Sequence, residues 1–340
     1  MGISGNPLLV AIDDGYAQTK LWGERPDGTT ASFMMRSSAR PGRYALMSIS
    51  GDGFSGTYRT DEGEEFTVSE DIEGENTQFD GFHTSTMNRV LVHHALSRGN
   101  YGGREVHLVS GLPVGEFFRQ GRRNDAAIEA KKSNLIKKIQ PATEDQALAV
   151  IARVDIGCQA MAAFVDYWID DDMKERDVPV EKIAVVDIGG RTTDIVLVLD
   201  GASFDPRRSG TENIGALDVY NTLADMIRGE FRTRDVYPIA LLDQAVRQRT
   251  IRLWGRQRDI GDMVDLAIAE QKTKIIREIE RRLGTASDID TVLFVGGGAA
   301  MFRGINEIFP NGQTTETPEW SNARGLFKYI KYFSKAENDA

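Results

Sequence analysis

Hydrophobic residues in this chain form short, nearly continuous runs, and two of these runs end at an aspartate followed closely by glycine. VAIDDGYAQTKL spans residues 10–21, and VVDIGGRTTDIVLV spans residues 185–198. A fully apolar run bounded by aspartate and glycine is typical of a buried strand that ends in a tight turn. Each segment therefore predicts a hairpin of two strands.

The pattern along the rest of the chain predicts alternating strands and helices. In the first half of the chain we expect strands with a hairpin over 8–35, a small polar antiparallel subdomain beginning at Ser37, an amphipathic helix over 84–98, a strand over 105–110 and a basic helix over 124–138. A strand over 147–154, a helical segment after it and a charged linker over 170–182 follow. In the second half we expect a strand from Ile183, helices over 235–283 and a C-terminal helix over 320–333.

The residue types of the first turn suggest its chemistry. Gly15 gives the backbone freedom at the bend, and successive amides of such a turn can form an anion-binding concavity. The Asp13 carboxylate would repel a phosphate, so it suits this site only if a hydrated cation lies between them. Mg²⁺ fits, because it keeps several waters and takes only one or two carboxylates. Lys20 lies where a return strand brings its ammonium back toward the phosphates.

The second turn repeats this logic with Asp187, glycines and hydroxyls that suit a phosphate or an attacking water. Asp-Gly pairs also mark ordinary hairpins, so either turn alone leaves both interpretations open. A third strand-like run, Thr291 to Val295, ends in Gly296, Gly297 and Gly298. Three consecutive glycines favour a close approach of the backbone to a flat ligand.

Two phosphate hairpins and a strand followed by three glycines resemble the pattern of the superfamily of actin, sugar kinases and the seventy-kilodalton heat-shock ATPases. Within that superfamily the chain is most similar to the ParM (StbA) family of plasmid segregation proteins. The likeness rests on blocks in family order: VHHAL from Val92, GLPVGEFF from Gly111, AIEAKKSNLIKKI from Ala127, VDIGGRTTDI, ENIGALDVYNTL from Glu212 and FVGGGAAMF from Phe294.

The resemblance implies an α/β actin-like fold, in which two ribonuclease-H-like domains flank a nucleotide cleft. We expect domain I over 1–178 with an inserted subdomain at about 37–98, domain II over 179–318, and a C-terminal helix over 319–340 that returns to domain I. The implied cofactors are ATP, with GTP still possible, and Mg²⁺.

The resemblance also implies which residues contact these cofactors. Asp13 and Asp187 would hold Mg²⁺ through its waters, and the glycine turn would pack against the adenosine. Gln271 and Lys274 would lie near the base and ribose. They belong to a long helix whose apolar spacing is that of a structural element. The predicted contacts are Asp13, Gly15, Tyr16, Ala17, Gln18, Lys20, Asp187, Gly189, Gly190, Arg191, Thr192, Thr193, Gly215, Gln271, Lys274, Gly296, Gly297, Gly298 and Ala299.

Hydrolysis in the superfamily depends on a Glu or Gln that orients the water attacking the γ-phosphate. The sequence QAMAA from Gln159 matches that step, which makes Gln159 the first choice. ParM-family proteins have a glutamate there, so Asp155 is the alternative if the register is shifted. A glutamine can only position water, whereas a carboxylate can also accept its proton, so Gln159 predicts slower hydrolysis. Asp13 and Asp187 would contribute to catalysis by holding metal-bound water, not as the general base.

Composition and net charge limit the kinds of molecule and the cellular compartment that we expect for this chain. A formal net charge of −10 argues against direct, sequence-independent binding to DNA, so any link to DNA needs an adaptor. The single cysteine, Cys158, excludes an intrachain disulfide and fits a small buried residue in a reducing cytoplasm. No apolar run approaches the ~20 residues of a membrane span, so we expect a cytoplasmic protein without membrane partners.

The basic helix carries two lysine pairs, Lys131 with Lys132 and Lys137 with Lys138. They predict a solvated basic face or, in this acidic chain, a contact between subunits.

The resemblance implies a polymerising ATPase that forms filaments with itself and segregates plasmid DNA. It would act through a DNA-binding adaptor of the ParR type bound to a centromere-like site. The alternatives are another prokaryotic actin-like filament, with a phage, chromosomal or cell-shape role, and a small-molecule kinase of the same fold.

Overall fold

The structure, a computed structural model, describes residues 6–44, 56–69, 74–142, 146–201 and 203–338. Its strands are β1 (Leu8–Asp14), β2 (Gln18–Glu24), β3 (Thr30–Arg36), β4 (Ala39–Pro41), β5 (Gly56–Thr60), β6 (Glu65–Val68), β7 (Glu105–Leu112), β8 (Phe118–Arg119), β9 (Arg122–Arg123), β10 (Ile139–Pro141), β11 (Val150–Cys158), β12 (Lys182–Ile188), β13 (Thr193–Leu199), β14 (Ser203–Phe204), β15 (Gly210–Glu212), β16 (Thr250–Leu253), β17 (Arg256–Asp259), β18 (Thr291–Val295) and β19 (Gly312–Thr314).

The helices connect and cover these strands. They are α1 (Thr86–Arg98), α2 (Val114–Phe117), α3 (Asp125–Ile136), α4 (Gln159–Trp168), α5 (Leu217–Phe231), α6 (Ile239–Gln248), α7 (Gly261–Leu283), α8 (Gly297–Met301) and α9 (Ser321–Asn338). Within the described ranges, none of them combines the length and the hydrophobicity that a membrane span requires.

Two sheets built on the same plan form the centre of the molecule. The first has the order β11-β7-β1-β2-β3, and the second has the order β14-β13-β12-β18-β19 with β15 beside β13. In each, a buried central strand pairs antiparallel with the strand that follows it and parallel with a later strand. A nearly continuous apolar sequence is what a strand covered on both faces requires, and β1 and β12 have it.

The helix at the end of the chain joins the first sheet. Helix α9 packs along α4 and against β1, β2 and β7. Gly325 lies so close to the Ala162 carbonyl that a side chain at this position would overlap it. Helix α9 therefore contacts the sheet that the first part of the chain forms.

The small polar subdomain is a separate sheet with the order β10-β5-β6-β4. Its strand β10 comes from residues 139–141, outside the expected insertion at about 37–98, because the chain returns to this sheet after α3. Residues 45–55 and 70–73 of the predicted insertion lie outside the described residues.

Three local predictions were wrong. Helix α1 is buried on nearly every side rather than amphipathic, because it lies between the first sheet and the small sheet. The strand expected over 147–154 is β11, and it continues to Cys158. The region 235–283, expected to be helical throughout, contains the antiparallel hairpin β16–β17.

Candidate nucleotide site

The two Asp-Gly turns lie at corresponding ends of the two central strands. Asp13, near the end of β1, is paired in register with Lys20 on β2, and Asp187 on β12 is paired with Asp194 on β13. All four side chains are buried. The predicted pair of hairpins is therefore present, with a carboxylate at the inner end of each.

Asp13 accepts hydrogen bonds from two other predicted site residues. Lys20 Nζ donates to Asp13 Oδ2 at 3.1 Å, and Gln159 Nε2 donates to Asp13 Oδ1 at 3.2 Å. Gly111 makes room for this contact, since a Cβ atom there would lie 2.6 Å from Gln159 Cγ. The structure thus brings Gln159, the first residue of α4, to the carboxylate of the first hairpin.

Asp155 lies in a different network. His107 Nε2 is 2.7 Å from Asp155 Oδ2, and Arg153 forms an ion pair with the same oxygen at 2.8 Å. All three residues lie on the edge strand β11 and its neighbour β7, four residues or more before Gln159 in the chain. The described contacts connect Gln159, and not Asp155, to the predicted phosphate hairpins.

Asp187 is buried, and only one of its two carboxylate oxygens accepts a described hydrogen bond. Asn322 Nδ2 donates to Asp187 Oδ2 at 2.8 Å, but Asp187 Oδ1 is buried without a hydrogen-bond partner. Burial, together with the charges of Asp194 and Asp13, raises the pKa of Asp187 to about 7. An unpartnered carboxylate oxygen in such a place is costly unless a donor or a cation occupies it.

Asp194 is a second buried carboxylate at this hairpin, and the sequence analysis did not select it as a site residue. It accepts hydrogen bonds from Thr192 Oγ1 at 3.1 Å, from the Val114 amide at 2.8 Å and from Thr211 Oγ1. Burial raises the pKa of Asp194 to about 6, although these hydrogen bonds oppose the shift. Its position opposite Asp187 in the predicted hairpin was a signal that could have identified it.

The two hairpins touch each other. A Cβ atom on Gly190 would lie 2.7 Å from the Ala17 Cβ, so the glycine allows the first and second turns to meet. The Arg191 guanidinium lies 5.2 Å from the centre of the Tyr16 ring and donates to Asp80 Oδ1 at 2.6 Å. These contacts join the first and second turns beside the buried carboxylates.

The segment before α5 makes several hydrogen bonds with the second hairpin. Thr193 Oγ1 donates to the Ile214 carbonyl at 2.8 Å, and the amides of Ala216 and Leu217 donate to the Gly189 and Gly190 carbonyls. The segment around Gly215 that leads into α5 therefore lies directly on this turn.

The glycine cluster lies beside the second hairpin, but most of its close contacts are internal. Gly296 has a φ of +86°, and a Cβ there would overlap Asp187 Oδ1. A Cβ on Gly298 would lie 2.5 Å from Ile188 Cγ2, whereas one on Gly297 would meet only Gln18 Oε1, at 3.8 Å. Packing against β12 thus explains two of the three glycines without a flat ligand, and only Gly297 faces open space. Ala299 is buried in α8.

The helix α7 candidates have partners elsewhere. Gln271 Nε2 donates to Thr222 Oγ1 at 2.7 Å, and Lys274 forms an ion pair with Glu270 at 2.8 Å. Neither described contact reaches a hairpin, so these two residues stay predictions.

The basic helix contributes a buried lysine beneath the first hairpin. Lys131 is fully buried; its ammonium lies 2.8 Å from Asp14 and donates to the Gly111 carbonyl. Asn88 Nδ2 and Ser110 Oγ also donate to Asp14. Burial alone would raise the pKa of Asp14, but Lys131 and His83 hold it well below its usual range. Both predictions for Lys131, a solvated face and a subunit contact, were wrong, because this charge neutralises Asp14.

The residues present fit a magnesium ion held through water. Among the described residues, no cluster of three or more His, Cys, Asp or Glu side chains could hold a metal directly. Asp13 and Asp187 are two carboxylates, and one has an unpartnered buried oxygen. Mg²⁺ usually takes only one or two protein carboxylates and keeps several waters.

Two family models match the chain. That of the N-terminal region of the plasmid segregation protein ParM matches residues 8–165, and that of the C-terminal region of the archaeal MreB-like actin homologue matches residues 185–305. No curated protein has a sequence that matches the chain.

Solved structures of actin-like proteins have the same fold. A non-polymerisable quadruple mutant of pCBH ParM aligns with a TM-score of 0.74 at 22% identity, and a 15-stranded ParM filament from Clostridium botulinum with 0.72 at 22%; each alignment covers 96% of this chain and 99% of the other. The archaeal actin homologue Ta0583 in complex with ADP aligns with a TM-score of 0.73 at 21% identity, covering 96% of this chain and 99% of its own. The predicted actin-like fold is thereby confirmed.

Proposed function

We propose that this chain, which has the actin-like fold and matches the ParM N-terminal family model over residues 8–165, is an ATP-driven filament protein that segregates plasmid DNA in the cytoplasm. The observation that carries the proposal is the pair of contacting hairpins, each with a buried carboxylate, of which Asp187 has an unpartnered oxygen. The two hairpins would bind the phosphates of ATP from opposite sides.

Asp13 and Asp187 would hold Mg²⁺ through its water ligands, and the ion would supply positive charge against the phosphate oxygens. Lys20 adds an ammonium beside Asp13. The turn amides and the hydroxyls of Thr192 and Thr193 would donate to the phosphates.

Gln159 would position the attacking water. Its carboxamide is fixed by the hydrogen bond to Asp13 and buried at the start of α4, so it can orient a water molecule but cannot act as a strong base. Hydrolysis would then depend on orientation and on charge stabilisation. This supports a slow ATPase, of the kind that couples hydrolysis to disassembly.

Filament assembly would follow from closure of the cleft. The contacts between Gly190 and Ala17 and between Arg191 and Asp80 join the two sheets, and ATP bound between the hairpins would stabilise that closed form. Loss of the γ-phosphate would weaken it. Self-assembly is supported by the fold shared with a ParM filament.

The link to DNA would be an adaptor of the ParR type on a centromere-like site. With a net charge of −10, the chain as a whole would be repelled by DNA unless a basic partner lies between them.

The proposal is tested by light scattering of the purified protein together with phosphate release. Scattering should rise on addition of ATP and Mg²⁺ and should fall as phosphate appears. Constant scattering at every protein concentration, with ATP bound, would remove the filament function and leave the nucleotide site.

A second candidate is an actin-like filament with another cellular role, favoured by the archaeal MreB-like match over residues 185–305. Gene neighbourhood separates the two, since a small basic DNA-binding protein encoded beside this chain supports segregation.

A further inference from the structure

The hairpin β16–β17, which we call the arginine hairpin (Thr250–Asp259), ends in a turn of unusual composition. Trp254 and Gly255 form the two-residue turn, with φ of 48° and 73°. Such turns favour Asn-Gly, and positive φ is costly for a bulky residue. Trp254 is nevertheless 67% exposed, so packing within the chain does not offset this strain. A strained, exposed aromatic residue points to a contact with another molecule.

Positive charges predominate around this turn, and Asp259 is the acidic residue of the hairpin. Residues 247–258 contain five arginines and no acidic residue, in a chain whose net charge is −10. Arg247 and Arg249 form ion pairs with Asp243 and Asp265. No carboxylate of the described residues forms an ion pair with Arg252 or Arg256, and both are exposed.

A complementary surface lies elsewhere on the same chain. The loop 170–177, which we call the acidic loop, contains five acidic residues and two basic ones. The Asp172 side chain is 80% exposed, and its nearest cation, Lys174, lies 3.9 Å away. Asp177 is also exposed.

The two surfaces are carried by different elements of the chain. The acidic loop comes just before β12, whose first residue is Lys182, and β12 runs about 17 Å from there to Asp187 at the second hairpin. The arginine hairpin packs on α6, and α6 reaches the cleft side through the ion pair of Asp243 with Arg36. Arg36 is the strand partner of Gln18 in the first hairpin.

We propose that the arginine hairpin of one protomer docks on the acidic loop of the next protomer. Arg252 and Arg256 face the loop carboxylates, and the Trp254 indole is buried between the two copies. Tryptophan and arginine are the residues that most often dominate binding energy in interfaces. Because the two surfaces differ, the contact is heterologous, and repeated without closing into a ring it builds the proposed open filament. This inference rests on the proposed function and identifies the partner surface.

The test uses two charge-reversed variants of the full chain. Arg252→Glu with Arg256→Glu reverses the hairpin, and Asp172→Lys with Asp177→Lys reverses the loop without touching Asp171, which is paired with Lys328. Each variant alone should raise the critical concentration for assembly with ATP and Mg²⁺ by about tenfold or more. A 1:1 mixture should assemble near the wild-type concentration, because alternating protomers then match every charge.

The matched control is Arg119→Glu with Arg122→Glu, which reverses two exposed arginines that face each other on the hairpin β8–β9. This control should assemble like wild type, and unchanged ATP binding should show that all variants are folded. Wild-type assembly by the hairpin variant would overturn the inference, as would a mixture that fails to recover. Loss of DNA or adaptor binding with normal assembly would assign the hairpin to that partner and would also overturn it. Failure of the wild type itself to assemble would instead remove the proposed function.

Discussion

Lys131 shows how a buried charge can look like a surface charge in sequence. Its place in a run of lysines predicted a solvated face, but its ammonium neutralises Asp14 beneath the first hairpin. Removal of one partner from a buried ion pair leaves an uncompensated charge. We expect Lys131→Met to lower the free energy of unfolding by about 3–5 kcal/mol in denaturant titrations. Lys132→Met, at the next position, should change it by less than about 0.5 kcal/mol. Equal effects of the two substitutions would contradict this role.

Gln159 and Asp155 are the two candidates for positioning the attacking water, and we expect their substitutions to change the rate of hydrolysis differently. Gln159 touches Asp13, whereas Asp155 is paired with His107 and Arg153. Gln159→Ala should slow phosphate release by about ten- to a hundredfold, because the water loses its orientation, with ATP affinity nearly unchanged. Asp155→Asn should leave the rate within about twofold. The reverse pattern in single-turnover phosphate release would assign the water to Asp155.

Asp187 gives the nucleotide-free protein a defined pH dependence. Its pKa is about 7 in the folded protein, because of burial, Asp194 and Asp13, and near its ordinary low value when unfolded. Between these values the folded state keeps a proton that the unfolded state has lost, so this group lowers stability as pH rises.

Wild type should therefore lose stability relative to Asp187→Asn by about 2 kcal/mol between pH 5.5 and pH 7.5. Comparison with the variant at each pH cancels groups that are not coupled to Asp187, such as His93 and His94, whose pKa values burial lowers to about 4. Thermal unfolding without nucleotide measures the difference, and a difference that is constant with pH would argue against a protonated Asp187.

The turn after β18 separates structural from ligand-facing glycines. Gly296→Ala should lower the melting temperature by several degrees, because φ is +86° and the new Cβ would overlap Asp187. Gly297→Ala meets only Gln18 Oε1 at 3.8 Å, so it should fold normally. If the turn packs against the adenosine, Gly297→Ala should weaken binding of a fluorescent ATP analogue. Normal binding by a folded Gly297→Ala protein would remove the turn from the site.

Elements bounded by sharp local signals were predicted well, and elements defined by distant contacts were not. The hairpins at Asp13 and Asp187 follow from apolar runs that end at Asp and Gly. Helix α1 was predicted to be amphipathic but is buried on nearly every side, because the sheet covering its second side comes from the insertion and from β10. The arginine hairpin was missed because Trp-Gly is not a typical hairpin turn.

At the level of the whole molecule, the resemblance supplied the actin-like fold, and the solved structures confirm it. The partners of the carboxylates could not be predicted in the same way. Asn322 reaches Asp187 from 135 residues away, and the Val114 amide reaches Asp194 from 80 residues away. Such contacts depend on where the packing of the whole chain places α9 and α2 relative to the second sheet, which no local pattern encodes. The expected domain boundaries stay predictions.

The proposed function depends on one property of the molecule, which is assembly controlled by the nucleotide in the cleft. The most direct measurement is the critical concentration, determined by sedimentation and electron microscopy, with Mg²⁺ and either a non-hydrolysable ATP analogue or ADP. We predict filaments at micromolar protein with the analogue and a critical concentration at least about tenfold higher with ADP. Filaments that form equally with both nucleotides, or no filaments with the analogue bound, would contradict the account.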